Sequence, residues 1–253
     1  MKSKRLIVVS LDALSSIDFD MFSKLPNFKK FIRHAACCRQ VRSVYPSLTY
    51  PAHTSIVTGR TPAHHGIVNN ILLQPERSSP DWYWQRNYIR GTTLYDEVLK
   101  QGKHVAALLW PVTAKSEITW NLPEIFANRR WTNQILTSAA NGTVGYQLML
   151  NHRFGRLRDG IRQPALDNFV HASLKYTLKT YRPDLTLVHF TDLDTQRHHY
   201  GVHSEEAAAA IKRHDERIGE LMHLLHQNRM SVKRDTTVII LGDHSQLDVR
   251  NVI

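Results

Sequence analysis

Carboxylate and imidazole side chains follow three separate apolar runs of the chain. LIVVSLD ends at Asp12, LTLVHFTDLD ends at Asp192 and Asp194, and TTVIILGDH places Asp243 beside His244. Short runs rich in Val, Ile, Leu and Thr that end in polar residues are typical of buried strands in a parallel sheet. Ligands of such sheets bind beyond the carboxyl ends of the strands. Because gathered carboxylates repel one another without a cation, the pattern predicts a metal site there.

Two residue pairs sharpen this prediction. Asp194 and His198 are four residues apart, a spacing that on a helix puts both side chains on one face, where they could bind one ion. An Asp–His hydrogen bond at a helix start explains the spacing equally well. Asp243 and His244 are adjacent, and in a loop just past a strand both could face one centre, although such a pair alone is a weak signal.

Thr49 is the candidate nucleophile. A threonine at a helix start usually does no more than satisfy a backbone N–H group. A helix start also gathers unpaired N–H groups and positive dipole, where a phosphate would bind. A hydroxyl there, beside a divalent metal, could ionise and attack phosphorus. The chain has no GxSxG elbow that would supply another nucleophile, and no GxxxxGK(S/T) or GxGxxG motif, which weakens kinase and dinucleotide-binding interpretations.

Strands alternate with helices along the chain. The pattern predicts a strand over 5–11, a helix over 25–36, a helix near Thr49 with Pro51 in its first turn and Gly59 at its end, a helix–turn–strand unit ending near Trp110, a helix over 166–181, a strand before Asp192, a helix after Ser204 and a strand before Asp243. This order predicts one α/β domain over 1–253, doubly wound, with a mostly parallel sheet and helices on both faces.

Periodicity fades over 112–164, a segment that contains Trp120, Trp131 and several arginines. Two interpretations remain open for this segment. It could be an insertion over the active edge of the sheet, or a solvated excursion with a few aromatic anchors, and the second is favoured.

Composition limits the partners and the compartment. The chain of 253 residues is 42% hydrophobic and carries a net charge of +11, which favours anionic partners such as phosphate esters. The basic residues are scattered, so no dedicated nucleic-acid surface is indicated. The adjacent Cys37 and Cys38 do not suit a mutual disulfide and are expected to be buried or idle thiols of a reducing compartment. No segment is long and apolar enough for a signal-peptide core or a membrane span, so we expect a cytoplasmic location.

The motifs together resemble those of a known family. PSLTYPAHTSIVTGRTPAHHGIVNN resembles the nucleophile segment of the nucleotide pyrophosphatase/phosphodiesterase family (type I phosphodiesterases), within the alkaline phosphatase superfamily. D-x-x-x-H-x-Y-G at 194–201 and D-H-S at 243–245 resemble its two later metal motifs. With Asp12 after the first strand, four motifs occur in the family's order across nearly the whole chain.

The resemblance implies a role for each matching residue. Thr49 matches the nucleophile that forms a covalent intermediate, and Asp12, Thr49, Asp243 and His244 match the ligands of one zinc ion. Asp194 and His198 match two of the three ligands of a second zinc ion. Asn70 matches an amide that binds a phosphoryl oxygen, and Tyr50 matches an aromatic that flanks the substrate.

The chain departs from the family pattern after His244. The family's third ligand to the second zinc is a histidine well downstream, whereas the nine residues after His244 contain none. The resemblance therefore implies an alkaline-phosphatase-like fold without its C-terminal part, whether as a fragment, a truncated product or a minimal variant. A minimal variant would recruit another ligand, for which the candidates are His203, His199 and His189. We also expect a weak second metal site, and an exposed sheet edge at 236–242 that would allow self-association.

The function predicted from these observations is metal-dependent hydrolysis of phosphodiester or pyrophosphate bonds in nucleotide-type substrates, through a covalent threonine. Three alternatives stay open. The first is a phosphomonoesterase or phosphonate hydrolase of the same superfamily. The second is a truncated, non-catalytic relative that binds a metal or phosphate compounds. The third is a basic nucleic-acid-binding protein, whose binding would depend on salt and not on metal.

Overall fold

A single parallel sheet organises the molecule. The computed structural model describes residues 4–228, 230, 232 and 235–249. The sheet has the strand order β3-β2-β4-β1-β5 and consists of β1 (Arg5–Leu11), β2 (Val105–Leu108), β3 (Trp120–Leu122), β4 (Leu185–Phe190) and β5 (Thr236–Leu241). All of its strand pairs are parallel. The predicted doubly wound α/β fold is confirmed.

Ten α-helices connect and flank the strands in the described residues. They are α1 (Phe19–Phe22), α2 (Pro26–Ile32), α3 (Thr49–Thr58), α4 (Pro62–His65), α5 (Leu94–Lys100), α6 (Gln134–Ala139), α7 (Val144–Phe154), α8 (Ala165–Thr180), α9 (Asp192–Tyr200) and α10 (Glu205–Gln227). Helix α2 is shorter than the predicted 25–36, and it begins at Pro26, whose fixed φ suits a first helical position.

Alternation along β1 distributes the core between two layers of helices. Ile7, Val9 and Leu11 belong to the larger apolar cluster, which includes buried residues of α2, α7, α8 and α10. Val8 belongs to a second cluster that contains Val57 of α3 and residues of α5. Side chains of a strand point alternately to opposite faces, so helices cover both faces of the sheet. This arrangement buries most of β1, β2, β3 and β4 and leaves the carboxyl ends of the strands as the polar edge.

The segment 112–164 is part of the sheet and its core, which corrects both interpretations of it. It contributes β3, whose Leu122 is buried, and it contains the helices α6 and α7. Tyr146 and Leu150 of α7 are buried in the larger cluster. A strand of three residues is too short to show a period in the sequence, which explains why the pattern faded there.

The surface of the molecule includes the two cysteines and the sheet edge at β5. Both Cys37 and Cys38 are exposed, not buried, because they lie on a surface loop after α2. In the described part of the chain, β5 is an outer strand of the sheet, and Ile239 is 41% exposed. Self-association through this edge stays a prediction. Within the same described residues, no helix has both the length and the apolar character that a bilayer span requires.

A close backbone contact fixes the loop that follows β5. A Cβ atom on Gly242 would lie 1.7 Å from the carbonyl oxygen of Leu14. Leu14 belongs to the turn after β1, in which Ala13 adopts a φ of 61° and donates its N–H to Asp243 Oδ1 at 3.1 Å. Glycine at 242 is therefore required for the two loops to meet.

We expect Gly242→Ala to lower the free energy of unfolding by about 2–3 kcal/mol, because the backbone must move to admit the methyl group. Gly145→Ala on α7 is the matched control, since nothing lies within 4 Å of its added Cβ and alanine favours a helix. Urea denaturation of both variants measures the effect. Equal stability of the two variants would contradict the contact.

Candidate functional site

The candidate site lies beyond the carboxyl ends of three adjacent strands. Strand β1 lies between β4 and β5 in the sheet. Asp12 follows β1, Asp194 lies in the first turn of α9 just after β4, and Asp243 and His244 follow β5. Thr49 enters the same region at the start of α3. The topology therefore brings together side chains that are more than two hundred residues apart in sequence.

Three candidate ligand atoms lie close to a fourth, Nε2 of His244. His244 Nε2 lies 3.1 Å from Thr49 Oγ1, 3.2 Å from Asp12 Oδ1 and 3.5 Å from Asp243 Oδ2. In a tetrahedral zinc site with bonds of about 2.0–2.1 Å, ligand atoms lie roughly 3.3 Å apart. Asp12 Oδ1 and Asp243 Oδ2 are buried and have no hydrogen-bond partner. The donor types, their spacing and these two unsatisfied oxygens all fit a divalent cation.

The second predicted pair is also assembled. His198 Nε2 lies 3.4 Å from Asp194 Oδ2, and the helix α9 puts both side chains on one face, as the spacing predicted. Asp194 also lies beside the first group, since ligand atoms of Asp12, Asp194 and His244 are all within 4.8 Å of one another. The Asp194–His198 pair could therefore hold a second cation next to the first.

Gln246 is a site residue that the sequence analysis missed. Its Nε2 donates to Asp194 Oδ1 at 2.5 Å and lies 3.1 Å from His198 Nε2. The three candidates for a third ligand do not contact this pair in the described structure. His199 Nδ1 bonds the carbonyl oxygen of Thr195, and His203 is exposed.

Asp192 helps to fix the start of α9, whereas Asp194 belongs to the candidate site. Its carboxylate is fully buried and accepts two hydrogen bonds from Arg213 of α10, at 2.7 and 2.9 Å. Asp167 of α8 accepts the backbone N–H groups of Thr191 and Asp192, both at 3.1 Å. These bonds fix the start of α9 and therefore the direction in which Asp194 points.

The start of α3 presents Thr49 to the site. Leu48 is the N-cap and contributes no side-chain cap, so Thr49 is the first helical residue. Pro51 follows in the first turn, and Gly59 ends the helix with a φ of 65°, as predicted. Asn70 Oδ1 accepts the backbone N–H of Tyr50 at 2.9 Å. This bond fixes the amide plane of Asn70, and its Nδ2 donor then lies close to the helix start.

The position of Tyr50 does not support its predicted contact with substrate. The side chain is fully buried, packs edge-on against Trp82 with ring centroids 5.3 Å apart, and donates its hydroxyl to Glu124 at 3.4 Å. Burial raises the pKa of this hydroxyl well above its usual value, and Glu124 adds to the shift. The ring therefore has no face open to a substrate, because Trp82 from another segment covers it.

Two buried histidines lie under the site. His53 Nδ1 bonds the carbonyl oxygen of Thr49 at 2.7 Å, and its Nε2 bonds the hydroxyl of Ser10 at 2.9 Å. His189 of β4 lies 3.2 Å from both Asp12 Oδ2 and Glu124 Oε2. Ligand atoms of His53, His189 and Asp243 lie within 4.8 Å of one another. A histidine inside an otherwise apolar strand was the signal for His189 in the sequence.

The site has a strong electrostatic imbalance without a cation. Burial raises the pKa of Asp194 to about 8, and that of Asp243 to about 7, and in both cases the charge of Asp12 adds to the shift. Burial alone would lower the pKa of His244, but the carboxylates of Asp12 and Asp243 outweigh it and raise the pKa to about 9. Burial alone would raise the pKa of Asp12, yet His189 and His244 hold it well below its usual value. Without a cation, these shifts favour protonated Asp194 and His244 at neutral pH.

These shifts predict how the stability of the metal-free protein depends on pH. Asp194, Asp243 and His244 keep protons in the folded state up to about pH 8, 7 and 9, whereas the unfolded chain loses them near 3.8 and 6.5. Stability therefore falls as pH rises from about 6.5 to 9. Below pH 6.5 the two aspartates still lower stability as pH rises from about 3.8, and they are opposed by histidines whose pKa is lowered by burial, namely His53, His65, His171 and His214.

We expect the melting temperature of the metal-free chain to fall over this range, and saturating zinc to reduce the fall, because zinc binds better as protons leave. Asp194→Asn should also make the metal-free slope shallower, since it removes one proton that the folded state retains. Calorimetric melting from pH 6 to 9 measures both effects. A metal-free melting temperature that rises steadily to pH 9 would contradict the assignment.

Comparison with known proteins identifies the family of the chain. The family model described as type I phosphodiesterase/nucleotide pyrophosphatase matches residues 6–253. The chain belongs to this family. The match is consistent with the alkaline phosphatase superfamily, and it covers every site residue named above and all of the sheet except Arg5.

Relatives in the family are long proteins. The chain is 26% identical over 231 residues to human ectonucleotide pyrophosphatase/phosphodiesterase family member 1, covering 87% of this chain and 21% of the relative. It is 27% identical over 251 residues to bovine family member 3, covering 94% of this chain and 24% of the relative. For the venom phosphodiesterase of Macrovipera lebetinus the identity is 25% over 251 residues, covering 94% and 25%. The chain thus spans about a quarter of the length of these relatives.

Solved structures share the fold. Murine ectonucleotide pyrophosphatase/phosphodiesterase 5, in an inactive form in complex with AMP, superposes with a TM-score of 0.65 at 19% identity, covering 96% of this chain and 57% of that one. Human ectonucleotide pyrophosphatase/phosphodiesterase 5 gives a TM-score of 0.63 at 20% identity, covering 95% of this chain and 57% of that chain. The described strands and helices therefore correspond to somewhat more than half of the fold of those proteins.

Proposed function

We propose that this chain carries the catalytic centre of a metal-dependent hydrolase that cleaves phosphodiester or pyrophosphate bonds of nucleotide-type substrates through a covalent threonine. The observation that carries the proposal is the position of His244 Nε2 within 3.1–3.5 Å of Thr49 Oγ1, Asp12 Oδ1 and Asp243 Oδ2. This arrangement combines a hydroxyl nucleophile with three donors that suit one divalent cation.

Two groups of residues would hold the cations, most simply zinc. Asp12, Thr49, Asp243 and His244 form the first group, and Asp194 and His198 form the second. When bound, divalent cations lower the pKa of a coordinated hydroxyl or water and offset the negative charge of the phosphoryl oxygens. The second group offers two side chains in the described structure, so we propose that it binds its ion more weakly.

Thr49 would carry out the first half of the reaction. Its ionised Oγ1 attacks phosphorus in line with the leaving oxygen, so that the bond from Thr49 to phosphorus forms as the bond to the leaving group breaks. His244 does not suit the role of general base for this step, because its Nε2, the atom nearest to Thr49 Oγ1, is the atom that would bind the cation. In the second half, water attacks the phosphorus and frees Thr49.

Asn70 and the start of α3 would bind the phosphoryl group. Since Asn70 Oδ1 accepts the N–H of Tyr50, its Nδ2 remains as a donor for an equatorial phosphoryl oxygen. The positive end of the helix dipole adds to this attraction. His53 helps to fix the start of α3 relative to β1, because its ring bonds the backbone carbonyl of Thr49 through Nδ1 and the hydroxyl of Ser10 through Nε2.

Nucleotide-type substrates follow from the family and from charge. The relatives carry nucleotide pyrophosphatase or phosphodiesterase names, and one solved structure of similar fold holds AMP. The net charge of +11 suits an anionic substrate. Because Tyr50 is buried, we assign no base-stacking role to it here.

The experiment that tests the proposal is a zinc titration of hydrolysis, with an aryl phosphodiester and the matching aryl phosphomonoester measured side by side. We expect turnover that requires metal and a larger kcat/KM for the diester. Faster hydrolysis of the monoester would favour the phosphomonoesterase alternative. Turnover that survives complete chelation of metal would contradict the proposal.

A further inference from the structure

A buried histidine links the candidate metal ligand Asp12 to a second carboxylate. His189 of β4 pairs with Ser10 of β1 in the parallel register. Ser10 lies two residues before Asp12, which follows the end of β1. Its ring is fully buried, with Nε2 3.2 Å from Asp12 Oδ2 and Nδ1 3.2 Å from Glu124 Oε2. The imidazole therefore lies between two carboxylates, each facing a different ring nitrogen.

Neighbouring side chains hold this arrangement in place. Glu124 follows β3, and its Oε1 accepts the hydroxyl of Tyr50 at 3.4 Å, so both of its oxygens have partners. The ring of His53 packs against the ring of His189, with centroids 4.3 Å apart. Because these groups restrict the rotation of the imidazole, His189 can in turn restrict the carboxylate of Asp12.

The two oxygens of Asp12 face different partners. Oδ1 lies 3.2 Å from His244 Nε2 on the side of the candidate ligands, whereas Oδ2 faces His189. An unrestrained carboxylate could rotate and offer either oxygen, or both, to a cation. A second partner that occupies Oδ2 leaves Oδ1 as the ligand atom.

We propose that Glu124 and His189 form a positioning pair that fixes Asp12 so that only Oδ1 faces the metal. The inference rests on the proposed role of Asp12 as a metal ligand. His189 acts through Asp12 and does not itself touch the substrate or the cation. The remaining five residues of β4 are Leu185, Thr186, Leu187, Val188 and Phe190, all of them buried, so a histidine at this position is a departure that packing alone does not require.

Two amide substitutions distinguish the contact made by Nε2 of His189 from the contact made by Nδ1. His189→Gln places its amide nitrogen near the position of Nε2 and keeps a donor towards Asp12. His189→Asn places its amide nitrogen near the position of Nδ1 and keeps a donor towards Glu124 alone. We expect zinc affinity, measured by calorimetry on the folded chain, to fall by about 10–100-fold in the asparagine variant and by less than about 5-fold in the glutamine variant.

Cobalt absorption, one control variant and one substitute variant complete the experiment. In both variants of His189, the d–d absorption spectrum of the cobalt-loaded protein should indicate the same coordination number of cobalt as in the wild type. His171→Asn is the control, because His171 is also largely buried and contacts Glu220, which is not one of the candidate site residues. If His189→Asn does not fold, Glu124→Gln serves instead and should lower zinc affinity by roughly 3–10-fold without a change in stoichiometry.

Three results would overturn the inference. One is equal zinc affinity of wild type, His189→Asn and Glu124→Gln. Another is equal loss of affinity in the asparagine and glutamine variants. The third is loss of a whole ion together with an altered cobalt spectrum, which would make His189 a direct ligand. If the wild-type chain itself binds no zinc, the proposed function fails, and this outcome is distinct from the other three.

Discussion

Replacing Asp12 by asparagine is expected to lower the zinc affinity of the first site by about 100–1,000-fold and to remove most phosphodiesterase activity. The carboxylate is buried and contacts both His189 and His244, so its neutral amide would leave two imidazole groups without their common counter-charge. Removing one partner of such a buried charge cluster costs about 3–5 kcal/mol. Calorimetric zinc titration and elemental analysis measure the loss, and His244→Ala should produce the same pattern.

Asp20→Asn is the matched control, because Asp20 is an exposed carboxylate on α1. It should leave both zinc affinity and activity unchanged. Asp194→Asn should weaken the second ion without removing the first. Wild-type zinc binding in Asp12→Asn would show that the first site lies elsewhere.

Thr49→Ala is expected to lower kcat by about 10³-fold or more, since loss of a nucleophile removes the covalent route and leaves only the binding contributions. Thr49→Ser should retain measurable turnover because it keeps a hydroxyl at the start of α3. Three of the four ligands of the first group remain in Thr49→Ala, so the variant should fold and still bind zinc. Steady-state hydrolysis of an aryl phosphodiester, beside a zinc titration, measures the two effects separately.

Thr58→Ala on the same helix provides the control for this substitution. The Thr58 hydroxyl bonds the carbonyl oxygen of Thr54 within α3 and lies at the opposite end of the helix from Thr49. Near-normal turnover is expected for Thr58→Ala. An equal activity of Thr49→Ala and wild type would remove Thr49 from the mechanism.

Local sequence patterns predicted most of the sheet and the residues that meet at the candidate site. Apolar runs that end in Asp12, Asp194 and Asp243 are local signals, and parallel topology alone then places their ends at one edge. The helical spacing of Asp194 and His198 and the Pro51 and Gly59 boundaries of α3 are local in the same sense. These features need no knowledge of tertiary contacts, which is why they could be predicted.

Features that depend on distant contacts could not be predicted in this way. The burial of Tyr50 arises from Trp82, which belongs to a different segment, and β3 is too short to show a period. The contact of Gln246 with Asp194 and His198 depends on how the loop after β5 folds back. The link from His189 to Glu124 likewise joins β4 to the segment after β3.

The most direct test of the account is mass spectrometry of the zinc-loaded chain, quenched with acid during turnover of an aryl phosphodiester. We predict a phosphoryl ester adduct that maps to the peptide containing Thr49. The adduct should be absent from Thr49→Ala and from metal-free protein. Metal-dependent turnover without any adduct on Thr49, or with an adduct on another residue, would contradict the central claim that Thr49 is the nucleophile.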